Sequence, residues 1–299
     1  MKAATANWSA RAERGSVVLI QLVVWLARVA GRRVCRVLMY PATLYFVVTD
    51  RTARRASAEF LGLVHGRPAK WTEVFRHFYS FGTTLLDRVY LASGCGRELQ
   101  VTIEGLPLVE QALGNGKGCV MLGSHLGSFD LLMFAHRQMR GRPVTVMMQV
   151  DPRARLRKLA GIDDSVNVIR VGEPGSYMRA HEALARGEIV GILADRIDAG
   201  AASINIPFMG RDTQLPIAPH VLAARSEAPV LMCFGLYEAG NRYRLRFVDC
   251  GPAAPRASRG PALQPAVARY AALLEEHARR YPLNWFNFYR YWSDGEAHA

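Results

Sequence analysis

The sequence predicts an α/β fold in which a mainly parallel sheet is flanked by helices and preceded by a helical segment. From residue 99 onward, short apolar runs typical of buried strands alternate with amphipathic stretches typical of helices. Strands separated by helices favour a parallel sheet with right-handed crossovers. Before that point the pattern is helical throughout. We therefore divide the chain into an N-terminal helical segment, residues 1–95, and an α/β domain, residues 96–299.

The N-terminal segment contains two apolar runs, residues 15–27 and 37–49, each of thirteen uncharged residues. Arg28 and the Arg32-Arg33 pair lie between them, and the first 60 residues hold ten basic but only three acidic residues. A helix of that length reaches roughly 20 Å, short of the roughly 30 Å hydrocarbon core of a bilayer. The pattern favours two helices embedded in or lying on a membrane, with the arginine-bearing loops in the cytoplasm. A buried helical hairpin of a soluble core is the alternative.

The remaining elements follow from periodicity and from turn residues. Helices are predicted at 50–66, 71–93, 107–113, 151–159, 177–186 and 217–225. Strands are predicted at 99–103, 117–123, 144–149, 166–171 and 189–193. The aromatic stretch YPLNWFNFYRYW, residues 281–292, is interpreted as a final strand over the core.

Charge and cysteine content restrict the classes of function. The chain of 299 residues carries 38 Lys and Arg against 25 Asp and Glu, a net charge of +13. Such an excess favours an anionic partner, whether lipid headgroups, an acidic carrier protein or nucleic acid. The five cysteines form no C-x-x-C pair, which indicates neither a disulfide framework nor a zinc site. There is no Walker A motif and no G-x-S-x-G nucleophile elbow.

The stretch 117–132, KGCVMLGSHLGSFDLL, contains the strongest chemical signal. It predicts a buried strand, a tight turn that carries His125, and a helix whose N-cap is Ser128. A histidine at the carboxyl end of a strand lies where open α/β sheets place their chemistry. Asp130, five positions on, is close enough to hydrogen-bond one imidazole nitrogen and leave the other free as a base.

This H-x4-D pattern after a strand resembles the first motif of the glycerolipid and lysophospholipid acyltransferase superfamily. The surrounding letters are more narrowly similar to the late (secondary) acyltransferases of lipid A biosynthesis. Three later stretches match in the same order: Asp195-Arg196 after a strand, IPFMGR at 206–211, and Ala-Pro-Val at 228–230. The resemblance implies a glycerolipid acyltransferase-like fold for the α/β domain and membrane association for residues 1–95.

The resemblance also implies roles for particular residues. His125 would be the general base and Asp130 would orient it, while backbone N–H groups near Gly127 and Ser128, at the helix N-terminus, would receive the oxyanion. The predicted substrate-binding residues are Gly127, Ser128, Arg153, Asp195, Arg196 and Gly210, and no metal ligand is predicted. Arg153 would bind phosphate, with a solvated helix face as its alternative. The alternative for Asp195 and Arg196 is that they form a salt bridge at the end of a strand and do not bind substrate.

Two departures bear on the acceptor lipid. The lipid A branch usually has Asp-Gln where this chain has Asp195-Arg196, and its tail usually ends in Trp followed by His-Arg. Here Asn287, Phe288 and Tyr289 occupy that region of the tail. Together with the opening stretch around Asn7-Trp8-Ser9, the tail is similar to relatives in bacterial aryl polyene gene clusters.

The function expected from the resemblance is O-acyl transfer from an acyl thioester to a lipid hydroxyl at the cytoplasmic face of the bacterial inner membrane. The donor would be acyl carrier protein or coenzyme A, and no cofactor is expected. The expected partners are membrane lipids and acyl carrier protein, with no nucleic acid. Two alternatives stay open: a lipid ester or phosphoester hydrolase that uses His125 and Asp130 on water, and a basic nucleic-acid-binding protein.

Overall fold

In a computed structural model, the chain is built around a seven-stranded sheet. The structure describes residues 17–92, 99–114, 116–129, 131, 143–148, 167–198 and 200–292, with side chains from residue 31 except at 89 and 92. The helices and strands, numbered along the chain, are α1 Val17–Thr49, α2 Arg51–His65, α3 Trp71–Ala92, β1 Gln100–Glu104, α4 Leu106–Leu113, β2 Cys119–Gly123, β3 Val144–Met148, β4 Asn167–Arg170, α5 Ser176–Ala185, β5 Ile189–Leu193, β6 Ser203–Phe208, β7 Arg211–Pro216, α6 Ala218–Ser226, β8 Val230–Ala239, β9 Arg242–Asp249 and α7 Gln264–Arg280.

The strand order in the sheet is β1-β9-β8-β2-β5-β3-β4. All neighbouring pairs are parallel except β8 and β9, which form an antiparallel hairpin. The predicted α/β fold with a mainly parallel sheet flanked by helices is thereby confirmed. The central strands β2, β5 and β8 place their carboxyl ends along one edge of the sheet, which is where His125 and Asp195 follow.

Two apolar cores cover the two faces of this sheet. Every residue of β2 is buried, and alternate side chains point to opposite faces because the strand period is two. Val120 and Leu122 belong to the larger core, whereas Cys119 and Met121 belong to the smaller one. Strands buried on both faces read as continuous apolar runs, which is why the sequence identified β2 and β5 well.

The helices α2 and α3 lie within one residue of their predicted bounds. α2 begins after Asp50, whose carboxylate accepts a hydrogen bond from the backbone N–H of Ala53 at 2.9 Å, and ends at Gly66 with φ 65°. Aspartate at the N-cap and glycine in the left-handed region after the last turn are favoured helix boundaries. These local signals are readable without tertiary information.

The second apolar run and the described part of the first, from residue 17, belong to α1, which is interrupted at Gly31 with φ 76° and ψ 165°. α1 is thus two helical stretches that meet at a kink beside the Arg32-Arg33 pair, in agreement with the predicted pair of helices. Among the described helices, none has the length and hydropathy required to cross a bilayer.

A buried ion pair connects α1 and α3 to strand β9 of the sheet. Arg32 of α1 donates two hydrogen bonds to the Asp87 carboxylate of α3, each 2.6 Å long. The hydroxyl of Tyr243 in β9 donates to the same carboxylate at 2.6 Å, and Arg32 also donates to the Gly240 carbonyl at 2.7 Å. We call Arg32, Asp87 and Tyr243 the helical junction.

Four elements were missed or misread from the sequence. The hairpins β6–β7 and β8–β9 and the helix α7 were not predicted. The predicted final strand at 281–292 is wrong: the tail contains a short 3-10 turn, Pro282–Asn284, and a single bridge between Trp285 and Leu126. Its aromatic rings pack on each other and on Phe208, so side-chain contacts, not strand pairing, fix its path. The helix predicted at 151–159 lies outside the described residues.

Candidate active site

His125 and Asp195 form a hydrogen-bonded pair at the carboxyl ends of β2 and β5. The two strands are parallel with Gly123 opposite Leu193, so the residues two positions beyond each strand end meet as well. The Nδ1 atom of His125 lies 2.8 Å from Asp195 Oδ1, and the backbone N–H of His125 donates to Oδ2 at 2.9 Å. Asp195 therefore lies at the same edge of the sheet as His125.

The hydrogen bond to Asp195 fixes the tautomer of the His125 imidazole. A carboxylate only accepts hydrogen bonds, so Nδ1 of His125 carries the proton and Nε2 carries the lone pair. The side chain of His125 is 26% exposed, whereas that of Asp195 is 1% exposed. The buried carboxylate therefore orients a ring that reaches solvent.

The electrostatic surroundings favour a neutral base at neutral pH. Burial lowers the pKa of His125 below its ordinary value of 6.5, with Asp195 opposing the shift and Arg196 adding to it. Burial by itself raises the pKa of the Asp195 carboxyl, but the charge and hydrogen bonds of His125, with Arg196, hold that pKa below its ordinary value. The pair is thus a neutral imidazole beside a carboxylate, the state that a general base requires.

The C-terminal tail holds the turn that carries His125. Phe286 donates its backbone N–H to the His125 carbonyl at 2.8 Å, and Gly127 donates to the Asn284 carbonyl at 2.7 Å. The Tyr291 hydroxyl donates to the backbone carbonyl of Asp195 at 3.0 Å. Residues about 160 positions apart in the sequence therefore fix the same turn.

Gly127 is required by the close approach of β8. Its φ is 83°, and a Cβ atom at that position would overlap the carbonyl oxygen of Gly235. The backbone N–H of Ser128 donates to the same carbonyl at 2.7 Å. Only a residue without a side chain allows the turn to lie against β8 in this way.

The predicted oxyanion donors are used within the fold. The N–H groups of Gly127 and Ser128 bind the carbonyls of Asn284 and Gly235, so neither is directed at a reacting atom in this arrangement. These two N–H groups therefore stabilise the turn, and an oxyanion role for N–H groups near Gly127 and Ser128 stays a prediction. Contact of Gly127 or Ser128 with substrate by other atoms stays a prediction.

Arg196 is bound by the tail. Its Nε donates to Asn287 Oδ1 at 2.8 Å, its Nη2 donates to the Phe286 carbonyl at 3.2 Å, and its guanidinium lies 5.4 Å from the centre of the Tyr289 ring. The Asn287 amide also donates to Asp195 Oδ2 at 3.0 Å. Asn287 was not among the predicted site residues, and no local signal marks it, because the tail reaches the site only through tertiary packing.

Gly210 lies in the two-residue turn of the β6–β7 hairpin. Met209 and Gly210 have φ values of 56° and 77°, which is the conformation that such hairpin turns need. The Met209 N–H donates to Glu275 of α7 at 2.6 Å. The IPFMGR stretch is therefore explained by turn geometry, and contact of Gly210 with substrate stays a prediction.

Two predicted residues, Asp130 and Arg153, lie outside the described residues. The predicted His125–Asp130 pair thus stays a prediction, and so does phosphate binding by Arg153. Within the described ranges, no three His, Cys, Asp or Glu side chains are grouped so that they hold a metal ion.

Comparison with known proteins identifies a family and two similar proteins. Residues 17–294 match the family model described as bacterial lipid A biosynthesis acyltransferase. The chain is also similar to phosphatidylinositol mannoside acyltransferases of two Mycobacterium tuberculosis strains, ATCC 25618 / H37Rv and CDC 1551 / Oshkosh, each 26% identical over 165 residues. That match covers 54% of this chain and 49% of each relative, so it spans about half the length of these curated proteins.

Proposed function

The chain belongs to the bacterial lipid A biosynthesis acyltransferase family, and from this premise we propose that it transfers a fatty acyl group from an acyl thioester to a hydroxyl of a lipid. The predicted family, and with it the class of acyltransferase enzymes, is confirmed by the match. The observation that supports the proposed reaction is the His125–Asp195 pair, in which Nδ1–H is bound by the carboxylate at 2.8 Å and the ring is partly exposed.

The pair suits general-base catalysis of acyl transfer. Nε2 of His125 removes the proton of the acceptor hydroxyl while the hydroxyl oxygen attacks the thioester carbonyl. The new C–O ester bond forms, the C–S bond breaks, and the imidazolium returns the proton to the leaving thiolate. Asp195 stabilises the imidazolium that forms during attack, because its carboxylate is buried against Nδ1–H.

The experiment is acyl transfer by the purified protein from a fatty acyl thioester to a hydroxyl-bearing lipid. General-base help is worth roughly 10²–10⁴-fold in rate, so His125→Ala is expected to reduce turnover by that factor. His181→Ala is the matched control, because His181 is also partly buried and its Nδ1 lies 2.7 Å from Ser226 Oγ on a different part of the surface. Near-normal turnover of His125→Ala would contradict the mechanism.

Hydrolysis is separated from transfer by the acceptor. Thioester consumption that rises only when the lipid alcohol is added supports acyl transfer. Consumption that is the same with and without the alcohol would instead assign His125 to the activation of water, the hydrolase alternative.

The donor class is proposed to be acyl carrier protein, with coenzyme A as the competitor. Acyl carrier proteins are acidic, and the chain has a net charge of +13, so complementary charge favours encounter. Added salt screens such attraction. We expect the apparent KM for carrier-bound donor to rise with ionic strength, whereas a flat response together with efficient coenzyme A use would favour the other donor.

Membrane binding is proposed to use the exposed side of α1. Eight large apolar side chains are exposed there: Val34, Val37, Leu38, Tyr40, Leu44, Tyr45, Phe46 and Val48. Exposed arginines, Arg33, Arg51 and Arg55, lie at both ends of this stretch. Apolar side chains rimmed by arginine favour a helix that lies in the interface of an anionic membrane. The proposed location is the cytoplasmic face of the bacterial inner membrane.

Flotation with vesicles of phosphatidylglycerol and phosphatidylethanolamine tests this surface. Leu44→Glu combined with Tyr45→Glu is expected to reduce the vesicle-bound fraction. Met178→Glu, a change of the same kind at an exposed methionine of α5, is the control and is expected to bind as wild type does. Equal binding by all three proteins would contradict the assignment of α1.

The acceptor is proposed to be a membrane lipid with a free hydroxyl, either lipid A-like or part of aryl polyene lipid assembly. Mass spectrometry of lipids from cells with the wild-type gene, without it, and with His125→Ala identifies the acylated species. A lipid that carries one acyl group fewer in both altered strains than in wild type is the acceptor of the reaction.

A further inference from the structure

The Asn287 side chain links the two charged residues at the end of β5. Its Nδ2 donates to Asp195 Oδ2 at 3.0 Å, and its Oδ1 accepts from Arg196 Nε at 2.8 Å. Asn287 is 5% exposed, so both hydrogen bonds are shielded from solvent. A hydrogen bond to a charged group is stronger than one between neutral groups.

The two partners fix which way the amide faces. If the amide were turned by 180°, its oxygen would face the Asp195 carboxylate and its NH₂ group would face the Arg196 guanidinium. Both contacts would then be repulsive, since a carboxylate only accepts and a guanidinium only donates. Asn287 is therefore held in one orientation by opposite charges at its two ends.

The Asp195 carboxylate is held by His125 and by this amide. Two of its hydrogen bonds come from His125 itself, through Nδ1–H and the backbone N–H. The third comes from Asn287, which lies 92 positions further along the chain. The bond from the tail thus restrains the carboxylate with respect to a part of the protein other than the His125 turn.

We propose that Asn287 is a positioning residue of the active site, whose neutral amide holds the Asp195 carboxylate against His125 and binds Arg196 beside it. The proposal rests on the proposed function of His125. An amide is suited to this place because it donates to the anion and accepts from the cation without adding charge. A carboxylate at the same position would accept from Arg196 but would repel Asp195.

The charges that act on His125 from the described part of the chain are those of Asp195 and Arg196. The nearby hydroxyls of Tyr270 and Tyr291 donate to the backbone carbonyls of Gly123 and Asp195. In Asn287→Asp an added negative charge raises the proton affinity of the imidazole, because a nearby anion favours its charged form. We therefore expect the pKa of His125 to rise in this variant.

The test measures the titration of His125 by NMR of the imidazole and the pH dependence of kcat/KM in the full chain. His125→Ala assigns the imidazole signal by its disappearance. Asn287→Asp is nearly isosteric, and Asn287→Ala removes both hydrogen bonds. Asn284→Ala is the matched control, since the Asn284 amide lies in the same tail but bonds only the backbone of Tyr237 among the contacts described, at 2.8 and 3.0 Å.

In Asn287→Asp both the His125 titration and the acidic limb of kcat/KM are expected to move to higher pH. Asn287→Ala is expected to lower kcat/KM about tenfold to a hundredfold, which corresponds to one hydrogen bond to a charged group. Asn284→Ala is expected to lower the melting temperature without moving the His125 titration. An unchanged titration in Asn287→Asp would overturn the proposal, as would unfolding of both Asn287 variants while Asn284→Ala stays folded.

Failure of this inference is distinguishable from failure of the proposed function. If wild type shows no acyl transfer, or His125→Ala retains it, the proposed function fails, and the NMR titration still reports on Asn287. If His125→Ala abolishes transfer but the Asn287 variants titrate as wild type, the function stands and the positioning role of Asn287 is overturned.

Discussion

Two buried carboxylates, Asp87 and Asp195, have the same 1% exposure but different partners. In the helical junction Asp87 is bound by Arg32 and Tyr243, whose side chains are not expected to change charge near neutral pH. At the end of β5, Asp195 is bound by His125, whose ring is partly exposed. Burial of a carboxylate therefore does not identify a catalytic site. What distinguishes the two is that Asp195 binds a titratable partner, His125, whose Nε2 has no hydrogen-bond partner among the described residues.

The largest expected effect is on activity, from Asp195→Asn. The substitution keeps the shape of the side chain but removes the charge that stabilises the imidazolium, and it replaces one acceptor oxygen with an NH₂ donor, so that the carboxylate no longer fixes the tautomer of His125. We expect kcat to fall by about 10²–10⁴-fold, the range of general-base help. Steady-state kinetics measures this, with circular dichroism as the control for folding. A decrease in kcat of less than tenfold would indicate that Asp195, like Asp87, has only a structural role.

For Arg32→Met we expect the reverse, a loss of stability with the activity retained. This variant leaves the Asp87 carboxylate buried without its cation, which typically destabilises a protein by about 3–5 kcal/mol. Urea unfolding measures the loss, and the activity per folded molecule is expected to be retained. Arg32→Met combined with Asp87→Leu is expected to recover much of the stability, because no uncompensated charge remains. A large drop in kcat of folded Arg32→Met would break the distinction between the two regions.

Gly127→Ala and Gly210→Ala compare two glycines with positive φ, 83° and 77°. The first would overlap Gly235, whereas the second has open space around it. We expect up to about 3 kcal/mol of destabilisation with lost activity for Gly127→Ala, and a smaller effect of strain alone for Gly210→Ala. Thermal unfolding and KM for the lipid acceptor are the measurements. A raised KM in Gly210→Ala would support its predicted contact with substrate.

The smallest expected effect is that of pH on stability. Burial lowers the pKa of His77 to about 4, against an ordinary 6.5, and its ring bonds Ser57 and the Trp285 carbonyl. A lowered pKa means that the unfolded chain binds the proton first, so stability is full above pH 6.5 and is lost as pH falls toward 4. We expect His77 to account for a loss of about 2 kcal/mol at pH 5. Chemical unfolding at pH 7 and pH 5 measures the loss, and a smaller pH dependence in His77→Gln would assign it.

Local sequence signals predicted the centre of the sheet and much of its surroundings. The strands β2 and β5 are uninterrupted apolar runs, and α2 has its capping residues at both ends, so short-range physics suffices for them. The β6–β7 hairpin was missed for local reasons as well. β6 and β7 are partly exposed, and their turn is Met209-Gly210 and not one of the strongly favoured pairs. α7 and the path of the aromatic tail depend on packing against distant residues.

The sequence by itself determined that a histidine follows a buried strand in a glycine-bearing turn, since strand burial and turn conformation are set by neighbouring residues. It also determined the family, because the motifs occur in order along the chain. Tertiary structure alone decided that Asp195 binds that histidine and that Asn287 binds Asp195. The reason is physical: the pairing of β2 with β5 brings together residues 70 positions apart, and no local periodicity specifies which strands become neighbours.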